Sequence, residues 1–323
     1  MADTRPMRLP PLDALDRRIV GALQIDGRAS WRRIADVLGE PVRTVTRHGT
    51  ALLDEGAVRV VGIASTAPSY LVRLRCTPHQ SQPVARALAV RSDSVFVYAM
   101  AESSEVIAEL LVPQTTDLAA LLDEFGQLDG VSGAHLAPVL HYFRTVAEWR
   151  PGLLGDAEAA ALEVDGTPPE QNRPEEDLDE TDRAIVDALV HDGRTPFDVI
   201  GAIGGFSEAT ARRRVDALVQ RGVVRIRAVV EPALVGLPLE SLLWIQCGPG
   251  DAMRIGQELA QSPCVRYAAM LMTRSAILAD VTSASMPALR ELLTESAWVK
   301  DVQALRSDLL LHAFKRSGVV TSD

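Results

Sequence analysis

The stretch Ser207-Glu208-Ala209-Thr210-Ala211-Arg212-Arg213-Arg214-Val215-Asp216-Ala217-Leu218 carries three consecutive arginines on a segment whose apolar residues, Ala211, Val215 and Leu218, recur at i, i+4 and i+7. That spacing buries one stripe of a helix. Successive residues turn by about 100° around a helix, so three guanidinium groups in a row fan over its surface and cannot all point inward. Planar guanidinium forks suit phosphate oxygens and the O6/N7 edge of guanine, and a helix of this diameter enters a major groove. Arg43, Thr44, Arg47 and His48 fall at the corresponding turns of an earlier segment. The predicted nucleic-acid contacts are therefore Arg43, Thr44, Arg47, His48 and Arg59 in the first region and Ser207, Thr210, Arg212, Arg213, Arg214, Arg225 and Arg227 in the second. Ser207 is placed to cap its helix, and Arg225 or Arg227, in the strand that follows, to reach flanking phosphate.

The elements that would position these side chains are written twice. Leu178–Glu231 aligns without a gap on Leu12–Ser65, with identities at Leu12/Leu178, Asp13/Asp179, Asp16/Asp182, Asp26-Gly27-Arg28/Asp192-Gly193-Arg194, Thr44/Thr210, Arg47/Arg213, Gly56/Gly222 and Arg59/Arg225. A repeat of this length marks a duplicated module. Each copy predicts three helices and a short hairpin, the layout of a winged helix-turn-helix. Asp13 and Ser30 read as helix caps, Ile19, Val20 and Leu23 as a buried face, and Val58/Val60 and Val224/Ile226 as wing strands. In the first copy Gly49 stands where the second has Val215, and Pro41 replaces the capping serine, so the first head is expected to read the more weakly.

The pattern L-D-x-x-D-x-x-I-V-x-x-L-x-x-D-G-R followed by S-x-x-T-x-x-R-R-V-x-x-L-x-x-x-G-V-V resembles the Lrp/AsnC family of bacterial transcription regulators. The resemblance implies that each reading head precedes a βαββαβ sensor and dimerisation domain. The chain offers those elements in that order, with strands at Tyr70–Cys76, Ser94–Met100, Val106–Val112 and Val131–Arg144 and helices at Val84–Val90 and Leu118–Phe125. The second half repeats them as Ser241–Cys247, Ala252–Ala260, Val265–Met270, Ala276–Val281, Met286–Leu293 and Trp298–His312. The expected fold is α+β, with two winged helix-turn-helix domains (1–66 and 178–233) and two ferredoxin-like domains (67–146 and 234–317) in tandem. An acidic, Pro-rich linker over 147–177 joins them, solvated apart from one short helix around Ala157–Leu162.

The resemblance also implies double-stranded DNA as partner, a homo-oligomer through the ferredoxin-like domains, and an amino-acid-like effector bound near the loops between second and third strands. Those loops read Met100-Ala101-Glu102-Ser103-Ser104-Glu105 and Met272-Thr273-Arg274-Ser275 and lack the Gly and Asp usual there. Ser103, Ser104, Thr273, Arg274 and Ser275 remain the effector candidates. Two alternatives stand beside the regulator. One is a siroheme decarboxylase-like enzyme of the same layout, for which His141-Tyr142-Phe143-Arg144 is the nearest candidate patch, with no second His-containing cluster to complement it. The other is an oligomerising scaffold built on apolar sheet faces such as Leu242, Trp244 and Phe96/Tyr98.

The chain has 323 residues, 47% of them hydrophobic, and a formal charge of −10, which predicts modest non-specific affinity for DNA and leaves the local arginine clusters to act within a Debye length of about 8–10 Å. It opens MADTRPMRLPPLD without an apolar run and reaches nowhere the ~20 apolar residues of a membrane span, so a cytoplasmic protein is expected. Cys76, Cys247 and Cys264 are three, far apart and in apolar strands, which predicts buried thiols and neither a disulfide nor a metal centre. No catalytic residue, metal or cofactor is assigned, and the expected protein is not an enzyme.

Overall fold

A computed structural model describes residues 10–64, 67–163 and 178–321. The first head comprises α1 (Ala14–Ile25), α2 (Trp31–Leu38), α3 (Val42–Asp54) and β1 (Val58–Ala64). The Asp13 carboxylate caps α1 by accepting from the Asp16 amide at 2.8 Å, and Ser30 caps α2. Gly39, at φ 68°, supplies the left-handed residue that turns the chain from α2 into α3. Gly49 has a packing reason of its own: a Cβ there would lie 2.4 Å from the Trp31 ring, so the glycine makes room for the indole.

The first ferredoxin-like unit follows as β2 (Ser69–Cys76), α4 (Ser81–Ala89), β3 (Ser94–Met100), β4 (Glu105–Leu111), α5 (Leu118–Gly126) and β5 (Val131–Arg144). After α6 (Asp156–Leu162) comes the second head, α7 (Glu180–His191), α8 (Phe197–Gly204), α9 (Glu208–Gln220) and β6 (Val224–Val230). The second unit has β7 (Leu239–Gln246), α10 (Ala252–Gln261), β8 (Val265–Leu271), β9 (Ile277–Ser283), α11 (Met286–Glu295), β10 (Ala304–Arg316) and the short β11 (Val319–Val320). The final segment expected from Trp298 to His312 is instead a 3-10 turn over Ala297–Asp301 and then β10.

The two units close into one eight-stranded barrel. The first part of β5 pairs with β2, up to Pro138 opposite Tyr70, and from Val139 onward the same strand pairs with β8. Its counterpart β10 pairs with β7 through Leu309 and then crosses to β3 from Leu310. Leu242, Trp244, Phe96 and Tyr98, the sheet faces expected to seek another sensor domain, meet inside this barrel within one chain. Helices α4 and α5 cover the outside of one sheet, and α10 and α11 the other.

Two sequence expectations change here. Each wing is a single strand, and the two strands form no hairpins of their own: β1 and β6 pair antiparallel with each other, from Val58 opposite Val230 to Ala64 opposite Val224. A wing that carries only one strand leaves its backbone donors and acceptors open, and the other head's wing satisfies them. The linker is also less solvated than its composition suggests. Ala147, Trp149 and Leu162 are buried, and α6 packs on the first head, where Glu158 meets Arg18 at 2.6 Å. Residues 164–177, the rest of that acidic stretch, lie outside the described residues.

Candidate nucleic-acid interface

The repeated Asp-Gly-Arg triplets build the frame that holds the heads together. Arg28 donates to the carbonyls of Gly193 and Thr195 at 2.7 and 2.9 Å, and Arg194 returns the bond to Gly27 at 2.8 Å. Each guanidinium also lies over an aromatic ring of the other head, Arg28 over Phe197 and Arg194 over Trp31. Gly27 and Gly193 approach the opposite wing so closely that a Cβ on either would stand within 3 Å of it. The Gly27 amide donates to the Ile226 carbonyl and the Gly193 amide to that of Val60. Burial lowers both arginine pKa values, and at Arg28 the like charge of Arg194 adds to the effect. These reciprocal bonds join the two heads into one pair.

On that frame the third helices expose different sets. In the first head Arg43 and Arg47 are exposed, Thr44 is half-buried, and His48 turns back to Asp16 at 2.7 Å. In the second, Ser207 caps α9 by accepting from the Thr210 amide, and Arg213 is fully on the surface. Arg214 occupies the place of His48 and does the same work, reaching Asp182 at 2.6 Å and Asp179 at 3.2 Å. Its hydrogen bond to Asp182 pushes its pKa up further. Arg212 stacks on Phe197 at 4.3 Å and touches Glu208 at 3.5 Å while staying exposed. Of the three arginines in a row, Arg213 is thus the one whose side chain meets no partner among the described residues. Arg47 is its counterpart in the other head, leaning on His48 at 2.9 Å. Arg59 is exposed on β1.

Arg225 and Arg227 are not wing residues that reach phosphate. Arg227 is 2% exposed and donates to the carbonyls of Val146 and Trp149 at 2.7 and 2.9 Å, and burial drops its pKa to about 9. Arg225 lines an interior cavity, and burial lowers its pKa as well. Alternation along β6 put both on the face opposite Val224 and Ile226, but that face meets the segment after β5 and not solvent. The missed signal was in the repeat, since Val61 stands in the first copy where Arg227 stands in the second.

The loop residues expected to hold an effector sit at the far turns of the barrel. Ser104 adopts φ 49°, the Thr273 hydroxyl donates to the Ser275 carbonyl at 2.7 Å, Arg274 is exposed, and the Ser103 hydroxyl is buried without a hydrogen bond. The structure does not bring the two loops into one described pocket. His141 packs edge-on against Phe143, and His312, its partner by pseudo-symmetry, does the same on Phe314. This second His–Phe pair was missed in the sequence, because L-H-A-F-K-R matches L-H-Y-F-R only once the two strands are aligned. Cys76 and Cys247 are buried free thiols, with burial pushing Cys76 to about 11, and Cys264 is a half-buried free thiol.

Comparison with known proteins agrees with the duplicated plan. The AsnC-type helix-turn-helix domain model matches residues 12–47 and again 178–219. An uncharacterized HTH-type transcriptional regulator of Pyrococcus horikoshii is 29% identical over 148 residues, spanning 46% of this chain and 84% of the relative. The HTH-type transcriptional regulator LrpA of Pyrococcus abyssi is 32% identical over 90 residues, 28% of this chain and 64% of its own. Among solved structures, the siroheme decarboxylase NirDL superposes with a TM-score of 0.62 at 16% identity, covering 94% of this chain and 93% of its own, a likeness of fold. Among the described residues no helix is long and apolar enough to cross a membrane. One relative's length corresponds to about half of this chain, and the chain carries two AsnC-type helix-turn-helix heads and two ferredoxin-like units in one polypeptide, an arrangement consistent with a tandem duplication of an Lrp/AsnC-like subunit.

Proposed function

We propose that the protein is a sequence-specific, DNA-binding transcription regulator whose single chain supplies both reading heads as a fixed pair, and that it is not an enzyme. The observation that carries this reading is the placement of Arg47 and Arg213 at matching positions on two third helices that the Arg28–Arg194 exchange and the β1–β6 ribbon lock together. Arg43, Thr44 and Arg59 would extend the contact in one head, and Arg212, Thr210 and Ser207 in the other, with the two unequal sets suited to an asymmetric operator. A cytoplasmic location and a small effector belong to the same reading.

Fluorescence anisotropy of a DNA fragment from upstream of the protein's own gene, at two salt concentrations, tests it. Tight, salt-sensitive binding is expected, with Arg213→Ala losing about 1–3 kcal/mol and relaxing preference at one base pair. Absence of any sequence preference in the wild type would overturn the reading.

The alternative of siroheme decarboxylase-like chemistry has the shared fold in its favour. Against it, no histidine lines the cavity beside Glu109, and His141 and His312 instead pack edge-on against Phe143 and Phe314. A Soret shift on mixing with siroheme, followed by loss of carboxylate from the ligand, would establish that chemistry instead.

A further inference from the structure

The barrel contains two interior positions that the duplication makes equivalent. Glu109 on β4 lies across from Leu71 and Phe96, and Asp280 on β9 lies across from Leu242 and Tyr267. Both carboxyls are buried, at 3% and 2% exposure. Around Asp280 the space is filled by the protein. Arg266 reaches Asp280 at 3.3 Å and Glu240 at 3.1 Å, Arg316 holds Glu240 at 2.7 Å, and Tyr98 donates to Asp280 at 3.1 Å. The two guanidinium groups lie over aromatic rings, Arg266 over Trp149 and Arg316 over Tyr98.

Around Glu109 each of those charged side chains is replaced by a small one. Register puts Val95 at the bulge position of Arg266, Ser69 at the position of Glu240, and Thr145 at that of Arg316. What remains is a cavity of about 80 Å³ lined by all three, by Glu109, and by Phe96, Tyr142 and Tyr267. The Phe96 and Tyr142 rings both stand edge-on to Tyr267, at 5.7 and 5.8 Å. Tyr142 donates to Glu109, whereas the buried Tyr267 hydroxyl has no hydrogen-bond partner of good geometry. Aromatic faces around a carboxyl form the surroundings in which a desolvated cation is held, and the second unit puts guanidinium groups in just such surroundings.

We propose that this cavity binds one small organic cation per chain, a guanidinium or primary ammonium group that takes up beside Glu109 the place Arg266 fills beside Asp280. The groups facing Glu109 are Ser69 from β2, Tyr142 from β5 and Tyr267 from β8. Arg225 from β6 also lines the cavity and is its one cationic side chain. Without a cation, burial pushes the Glu109 carboxyl up, toward its protonated form. Entry of the cation makes the carboxylate the favoured form, and one proton leaves Glu109 for the solvent. The site does not depend on the DNA reading, and its test requires no DNA.

The test is calorimetric titration of the full chain with methylguanidinium chloride in two buffers of different ionisation enthalpy, with propionate as the anionic comparison. Saturable binding of one cation per chain is expected, with a buffer-dependent heat that reports the released proton. Glu109→Gln should weaken binding at least about tenfold and abolish the buffer dependence. Val95→Arg should occupy the cavity from within and remove binding, and thermal unfolding verifies that both variants fold. The proposal is overturned by absence of saturable heat with the cation, by two cations per chain, by unchanged binding in folded Glu109→Gln, or by binding of propionate in place of the cation.

Discussion

The two halves of the barrel share a backbone register and a buried carboxyl, yet beside one carboxyl stands a network of charged residues and beside the other a cavity. Around Asp280, Arg266 pairs with Glu240 and Asp280, and Arg316 pairs with Glu240 and with the half-exposed Glu231. Around Glu109 the carboxyl accepts from the Tyr142 phenol, no guanidinium pairs with it among the described residues, and burial pushes its pKa up. Burial pushes both carboxyls up, and only at Asp280 do the Arg266 and Arg316 guanidinium groups oppose that push, so a buried acid at a fixed place in a sheet tolerates either charged or phenolic surroundings.

The largest break in this comparison comes from Arg316→Met. It strips Glu240 of its bidentate partner and leaves Glu231 without its ion pair, and breaking a buried pair of this kind costs about 3–5 kcal/mol. Urea denaturation of the variant reads that loss; a change below 1 kcal/mol on the order expected for surface pairs would mean the network is no more than surface decoration.

A smaller effect is expected from Val95→Arg, which gives the cavity side the guanidinium of its counterpart. Overpacking of about 1–3 kcal/mol opposes the new ion pair with Glu109, so stability should fall only slightly or hold. A loss as large as that of Arg316→Met, read on the same denaturation scale, would show that the two sides are not interchangeable.

Glu109→Gln is the mildest change. Because the folded carboxyl keeps its proton above the unfolded carboxylate range, the stability it contributes is fully present below that range and is lost as pH rises through the raised folded value. The Gln variant has no such loss. Its melting temperature relative to wild type should therefore climb as pH rises above the unfolded carboxylate range, whereas a constant difference would mean that burial does not raise the Glu109 carboxyl.

Much of the fold was legible because it was written twice. Asp13, Ser30 and Ser207 announce helix starts by chemistry that acts within three residues, and the βαββαβ order follows from short alternating runs. The pairing of β1 with β6 was not legible, since alternation in a strand tells which side chains share a face and says nothing of the partner. The same gap misplaced Arg225 and Arg227 on a phosphate-facing wing. Arg214 was read as part of the DNA surface because residue type shows charge and not its neighbour, although Asp182 in the same repeat stood ready to claim it. Glu109 passed unremarked as one acid in the apolar run EVIAELL; aligning that run with AILADVT would have set it opposite Asp280.

The strands β5 and β10 each begin in one unit and finish in the other. In an assembly of two identical chains, any substitution near such a crossing appears twice, and a change that helps one side must be tolerated by the other. Joining both units in one gene removes that constraint. Arg266, Glu240 and Arg316 on one side stand where the other side has Val95, Ser69 and Thr145, so a single gene is free to give its two sides separate trades.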